Sequence, residues 1–477
     1  HTFLYTAEDA YRDFLVSLGL KLPVKIDGKA SVTLGDEEGP FEVGDKGGLY
    51  QLSSMGYELW EERNGEIDPV KYGSKSAGWA DLSWDGGGIA VAMRDMYKEF
   101  PKEIVVDGKN GQVIAYLWPE AASPMDMRRY SDPPHRAQGE SVTRYLEADY
   151  LKSLPYGIGK THELFFYFHD GKEQKDAIES LIMDFNDPAL VYVTPEWYAS
   201  TGVFGQLSVP DVNRFPDAHK VEKNLENIMD FFLYHQDYWN WYGMWNYGDF
   251  QHSFARGYGW SPKYGAYKPQ HGWAFDNGRW GWTNSEGQPG LGLALMYLRT
   301  GKREYYFAAE AMARHIRDVD LHHAGPLKGS GMRHNVQHWG DGNREERHGN
   351  PIAYLVPYFL SGDPRTRDVV SELVHDKYLV GLQSIHAQHG ARFNGILMMW
   401  EMTGDKEYGD ILENYIQAFI ADEGIYISPT VRFPEGVLAG RRDNLNSGDM
   451  FFHNFGALNA IIRYHDITGN EDLRKAL

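Results

Sequence analysis

The segment Met296–Tyr306, MYLRTGKREYY, decides the fold. One helical run ends on Thr300-Gly301, and another opens at Glu304-Tyr305-Tyr306. The same design recurs at Ser361-Gly362-Asp363-Pro364, Thr403-Gly404-Asp405-Lys406 and Thr468-Gly469-Asn470-Glu471, with Glu407-Tyr408 and Asp472-Leu473 opening new runs. Glycine supplies a left-handed C-cap, and the polar residues cap the next helix. Each unit is therefore an αα-hairpin, which cannot bury its apolar face alone and must stack. Spacings of about 40 to 65 residues exceed the usual solenoid periods, so long loops separate the units. Long loops leaving one end of a helical ring are the layout of an α/α toroid, with a solenoid as the alternative. The pattern counts four hairpins and part of a fifth.

Working back from this array, the 3.6-residue period begins at Val221, where Leu225, Ile228, Met229, Phe232 and Leu233 form one stripe. Upstream the period is two. Short β-rich runs at Lys21–Ile26, Ala30–Leu34, Gly88–Met93, Glu103–Val106, Val113–Leu117 and Thr161–Phe168 are bounded by turn signals such as Asp27-Gly28, Asp107-Gly108 and Asn110-Gly111. Ala7–Leu18 reads as one short helix, and Arg94–Phe100 as a polar extension of the strand before it. The expected architecture is an antiparallel β-sandwich over residues 1–214 followed by an α/α toroid over 215–477. The opening His1 and the stop at Leu477, just after NEDLRKAL starts a helix, read as cut ends that leave the toroid short of its last helices.

Composition narrows the function. Hydrophobic residues at 42% and aromatics at 14% are enough for sizeable cores. A formal charge of −20 weighs against a nucleic-acid partner, since phosphate binding needs a basic footprint. With Cys 0, disulfides, thiolate zinc sites and a cysteine nucleophile are ruled out. No run of about 18 apolar residues is present, so no membrane-spanning helix is expected.

The chemistry lies between the hairpins. Gly329–Gly349, GSGMRHNVQHWGDGNREERHG, packs His, Arg, Asn, Gln and Trp where an ordinary solvated loop would favour Ser, Gly, Lys and Glu. The long stretch Trp239–Asn284 carries many aromatic rings, which serve either as a second core or as platforms for sugar faces. Pro429–Asp449 contributes Arg432, Arg441 and Arg442 and leads to His453, which is as often a satisfied helix histidine as a functional one. In the first domain Arg128, Arg129, His135 and Arg136 are the best anion-binding candidates, although an ordinary sandwich loop explains them slightly better.

Several of these stretches resemble a known family. Gly248-Asp249-Phe250, Arg256-Gly257-Tyr258-Gly259-Trp260, Asn284-Ser285-Glu286, Arg314-His315, Asp318-Val319-Asp320 and above all Arg333-His334-Asn335-Val336-Gln337-His338-Trp339-Gly340 look like the exo-rhamnogalacturonan lyases and their bacterial relatives. The resemblance covers most of the chain and implies a β-sandwich plus an α/α toroid. It also implies a small β-domain before the sandwich and further hairpins after the last one, which this sequence does not contain. Relatives in this group need not share one substrate.

A lyase of this kind removes the C5 proton of a uronate and expels the O4 leaving group. It needs cations or donors on the carboxylate, a base near C5 and an acid near O4. Arg333 or Arg256 can fork onto the carboxylate, with Asn335 and Gln337 as further donors. His334 or His338 is the natural base, and Tyr258, Tyr242 or His252 the acid. Trp339, Asn246, Trp260 and His453 complete the candidate substrate-binding set. The rival is a glycoside hydrolase with two carboxylates drawn from Asp249, Glu286, Asp341, Glu345 and Glu346. A non-catalytic carbohydrate-binding protein would need the rings but not the His and Arg residues. No cofactor is assigned with certainty. A divalent metal, calcium or zinc, stays open because His322, His323, His334 and His338 are close in sequence, but their spacings match no strong zinc pattern. The expectation is a secreted or periplasmic lyase acting on rhamnogalacturonan, or on a related acidic polysaccharide or oligosaccharide such as ulvan, with no nucleic-acid or membrane partner.

Overall fold

The computed structural model describes residues 1–9, 12–127, 155–172, 175–211, 213–251, 282–285, 288–332, 338–339, 346–374, 387–421 and 458–476, with four short strands between 254 and 273. Two antiparallel sheets face each other. One has six strands, in the order β2 (Leu18–Pro23), β11 (Gln112–Trp118), β10 (Lys102–Asp107), β5 (Lys46–Ser53), β6 (Gly56–Arg63) and β7 (Glu66–Gly73). The other has five, in the order β13 (Leu164–His169), β9 (Gly87–Met93), β8 (Trp79–Trp84), β3 (Ala30–Asp36) and β4 (Gly39–Val43). A separate pair, β1 (Thr2–Leu4) with β12 (Gly159–Thr161), lies beside them.

Strand β11 shows why the sequence alternates: Val113, Ala115 and Leu117 are buried between the sheets, while their neighbours are only half-buried. Strand β9 is buried along its whole length. Helix α1 (Lys175–Asn186) explains this, since its Ile178 and Ile182 pack on Trp79, Ala90 and Ala92 across the outer face of that sheet.

The helix expected over Ala7–Leu18 does not form among the described residues. Leu15 instead bridges to Met125, and Leu18 starts β2. Tyr5, Ala7 and Leu15 pack against residues of both domains, so tertiary contact overrides the local helical pattern. Arg94–Phe100 is a turn rather than a strand extension, with the N–H groups of Lys98 and Glu99 both donating to the Asp95 carbonyl.

The helical half begins with α2 (Pro195–Thr201) and α3 (Ala218–Tyr238). Four hairpins follow among the described residues: α4 (Pro289–Thr300) with α5 (Arg303–Asp318), α6 (Ile352–Ser361) with α7 (Pro364–Leu373), α8 (Ala387–Thr403) with α9 (Lys406–Ala421), and α10 (Leu458–Thr468) with α11 (Glu471–Ala476). Each repeat glycine sits in the left-handed region, with φ of +72° at Gly301, +67° at Gly362 and Gly404, and +66° at Gly469. Its N–H closes the helix on the carbonyl four residues back, as from Gly301 to Tyr297 at 2.8 Å and from Gly404 to Trp400 at 2.8 Å.

The hydroxyl before each glycine also has a task. Thr300, Ser361, Thr403 and Thr468 donate to the carbonyls of Met296, Pro357, Met399 and Tyr464 at 2.6–2.8 Å. Asp363, Asp405 and Asn470 then accept from the first turn of the next helix. The tetrad is thus a complete helix-to-helix connector. Apolar faces of all four hairpins join one core that includes Leu293, Tyr305, Tyr354, Phe393 and Ile461. Leu190, Tyr198, Phe204 and Leu207, ahead of the expected boundary at 214, pack on that same core. No described helix is long and apolar enough to cross a membrane.

Candidate functional site

Four segments meet at the end of helix α5. His315 lies in the last turn of that helix, and Asp320 follows it by less than two turns. The chain then runs out and back: Leu321 bridges Gly331, and the Met332 N–H returns to the Asp320 carbonyl at 2.8 Å. His338 lies beside Asp320. The connection after α3 delivers Asp249. Gly248, with φ of +109°, is the hinge, because a Cβ there would lie 2.4 Å from the Ala311 carbonyl oxygen of α5.

Asp249, His315, Asp320 and His338 are wholly buried, and each offers a ligand atom within 4.8 Å of the others. His315 Nε2 is 3.2 Å from His338 Nδ1 and 3.2 Å from Asp320 Oδ1. His338 Nδ1 is 3.3 Å from Asp320 Oδ1, 3.9 Å from Asp249 Oδ2 and 2.9 Å from Asn284 Oδ1. The surroundings hold these groups in place. His315 Nδ1 donates to the Tyr247 carbonyl at 3.2 Å, which leaves Nε2 as the lone-pair nitrogen. Asp249 accepts from its own neighbour Phe250 N–H at 2.7 Å, from Asn284 N–H at 3.0 Å and from the Thr283 hydroxyl. The Trp282 ring lies 4.7 Å from that of His338.

Backbone conformation here is also unusual. Asn284, Ser285 and Gln288 all have positive φ, of 42°, 72° and 47°, a concentration that marks functional turns more often than structural ones. Electrostatics follow from burial. It pushes the Asp320 carboxyl up to about 6, and burial together with the Asp320 charge pushes Asp249 up to about 6. The same burial pulls His315 and His338 down to about 4, so both imidazoles are neutral at pH 7.

Of the residues expected to act on substrate, four have described side chains, and only His338 joins this cluster. It is buried, and its contacts with His315, Asp320 and Asn284 are those of a positioning residue. Trp339 is 4% exposed and packs edge-on against Trp245 in a cluster with Tyr5, Met125 and Met332, which makes it a domain-joining core residue rather than a sugar platform. Tyr242 is buried near Tyr247 and Phe100, and its hydroxyl donates to Asp237 at 3.2 Å. Burial and the Asp237 charge hold the phenol of this residue, one of three candidate proton donors, far above the usual range. Asn246 reaches the carbonyl of Tyr242 at 3.5 Å.

Arg256 ends a short strand, Phe254–Arg256, paired with His271–Trp273, and Trp260 lies in Gly259–Ser261, paired with Ala266–Lys268. His252, Tyr258, Arg333, His334, Asn335, Gln337 and His453 lie outside the described residues. So do Arg128, Arg129, His135, Arg136, the stretch 429–449, Glu286, Asp341 and Glu345. Neither His322 nor His323 belongs to the four-residue cluster. Their Nδ1 atoms go to the Tyr156 carbonyl at 2.8 Å and to Glu372 at 2.9 Å. His315, Asp320 and Asn284 carried no assigned role in the sequence. Their signal was present nonetheless, since each lies in one of the motifs behind the resemblance.

Comparisons with known proteins agree with this architecture. Residues 45–183 match the PcRGLX-like protein central beta sandwich domain, and residues 188–433 match the PcRGLX-like protein C-terminal alpha/alpha toroid domain. An uncharacterized protein, YetA of Bacillus subtilis (strain 168), is 29% identical over 361 residues. That match takes in 71% of this chain and 39% of the relative, so the chain spans well under half of that protein's length. With the toroid match alone covering more than half of its residues, the chain belongs to the PcRGLX-like, exo-rhamnogalacturonan lyase-like family.

Proposed function

We propose that the protein is a polysaccharide lyase that cleaves a rhamnose–uronate bond by β-elimination, outside the cytoplasm, in a secreted or periplasmic setting. The observation that carries the reading is convergence. Asp249, Asn284, His315, Asp320 and His338 come from five of the motifs by which the sequence resembles the exo-rhamnogalacturonan lyases, and they meet at one point. In sequence, Met332 and His338 bracket the stretch bearing Arg333 and His334. On this reading Arg333 and Arg256 hold the uronate carboxylate, Asn335 and Gln337 add donors, His334 takes the C5 proton, and Tyr258 or His252 protonates O4.

The hydrolase alternative has less support. Hydrolysis needs two carboxyls about 5 Å or more apart on opposite sides of a sugar. Of the five carboxylates that reading draws on, Asp249 alone has a described side chain, and it is sealed from solvent. The test is ultraviolet absorbance during incubation with rhamnogalacturonan and, separately, with a rhamnose–glucuronate polymer. Elimination makes a conjugated, absorbing uronate. New reducing ends without a rise in absorbance would replace the lyase with a hydrolase.

A further inference from the structure

We infer that Asp249, His315, Asp320 and His338 form a binding site for one divalent first-row transition metal ion, with zinc the best fit. The distances are the first reason. Ligand atoms about 2.0–2.1 Å from a zinc ion are about 3.3–3.4 Å apart along the edges of a tetrahedron. Three described separations are 3.2, 3.2 and 3.3 Å, among His315 Nε2, His338 Nδ1 and Asp320 Oδ1. Asp249 Oδ2 closes the fourth corner at 3.9 Å from His338 Nδ1.

Orientation is the second reason. Both oxygens of Asp320 are sealed from water and make no hydrogen bond among the described residues, although two imidazole nitrogens lie within 3.3 Å of Oδ1. His315 Nε2 and His338 Nδ1 also contact each other at 3.2 Å, and His338 Nδ1 contacts Asn284 Oδ1 at 2.9 Å; an ion bound at the shared centre would take the place of these contacts. An ion at that centre satisfies the Asp320 carboxylate, whose burial without a partner is otherwise costly. No Lys or Arg among the described residues pairs with Asp249 or Asp320, so a dication is the natural counter-charge.

The supporting contacts are those that metal ligands need. The Tyr247 carbonyl fixes the His315 ring with Nε2 inward, and Thr283 with the N–H groups of Phe250 and Asn284 fixes Asp249. Two imidazoles and two carboxylates suit zinc, iron or manganese better than calcium, which takes oxygen ligands almost alone. An ion here would clamp the connection after α3 to the end of α5 and to His338.

The experiment strips the full chain with a chelator, dialyses it against zinc and then against buffer. Bound metal is read by inductively coupled plasma mass spectrometry, and thermal denaturation is followed with and without zinc. One zinc per chain with a raised midpoint, and at least a tenfold weaker affinity in Asp320→Asn, is the expected result. Cobalt(II) loaded in its place should give the intense visible bands of a four-coordinate site. Circular dichroism of Asp320→Asn confirms that any loss is not unfolding, and Asp249→Asn serves if that variant does not fold. Less than about a tenth of an equivalent of zinc in the folded wild-type chain, or unchanged binding in folded Asp320→Asn, overturns the site. Metal content is read without substrate, so failure here leaves the elimination reading standing.

Discussion

Replacing Gly248 by alanine is the most informative single change. An added Cβ would lie 2.4 Å from the Ala311 carbonyl oxygen, 2.7 Å from His315 Cβ and 2.8 Å from the Ala311 carbonyl carbon. Two costs follow. An L-residue held at φ of +109° stores strain of about 1–3 kcal/mol. Forcing a methyl against helix backbone, which cannot rotate away, adds about 1–3 kcal/mol. Gly404→Ala separates these costs, since Gly404 has φ of +67° and an added methyl there would meet nothing within 4 Å, leaving strain of about 1–2 kcal/mol. Urea denaturation followed by tryptophan fluorescence should therefore rank Gly248→Ala as less stable than Gly404→Ala by about 1–3 kcal/mol. Because the displaced backbone carries Asp249 and faces His315, Gly248→Ala should also lose the site's function while Gly404→Ala keeps it. Equal destabilisation of the two variants would refute the close packing of the Asp249 connection on α5.

Three further outcomes are expected. Trp339→Ala should cost about 3–5 kcal/mol and Trp339→Phe much less, by thermal or urea denaturation; loss of substrate affinity at unchanged stability would return Trp339 to a sugar platform. Burial alone would raise the Asp36 carboxyl, but hydrogen bonds from Lys71 and Tyr57 hold it below the usual carboxylate range. Its stabilisation is therefore present above pH about 4 and is lost as pH falls through the lower folded value. Asp36→Asn should destabilise by about 1–3 kcal/mol at pH 7 and by less in acid, and a gap that does not narrow would contradict this pairing. Arg317 is 4% exposed and joins α5 to Asp363 and Thr366 at the start of α7. Arg317→Leu should lower the denaturation midpoint by an amount equivalent to about 2–4 kcal/mol, and a neutral result would show that the hairpins stack without this link.

The two parts of the chain were unequally legible. Hairpin connectors read correctly because everything that makes them lies within a few residues: the glycine, the hydroxyl before it and the aspartate or asparagine after it. The sheets were half legible. Gly88–Met93 and Val113–Leu117 stood out, but β4 to β8 were not picked out, because runs such as Gly56–Arg63 mix charged and apolar residues. The Ala7–Leu18 helix failed because that segment's apolar residues serve a contact between domains. At the site, the sequence singled out His338, which the structure places in the four-residue cluster. It misjudged Trp339 and Tyr242, which have the side chains of sugar-binding residues but the burial of core.

By itself the sequence determined the order of sandwich and toroid and the hairpin turns, because these rest on local backbone preference and pattern. Only the tertiary structure decided that Asp249, Asn284, His315, Asp320 and His338 meet, and which of the many rings are buried. The reason is physical. Capping and pairing energies act between near neighbours, whereas which distant side chains share a cavity depends on the packing of whole helices, summed over contacts that no single stretch contains.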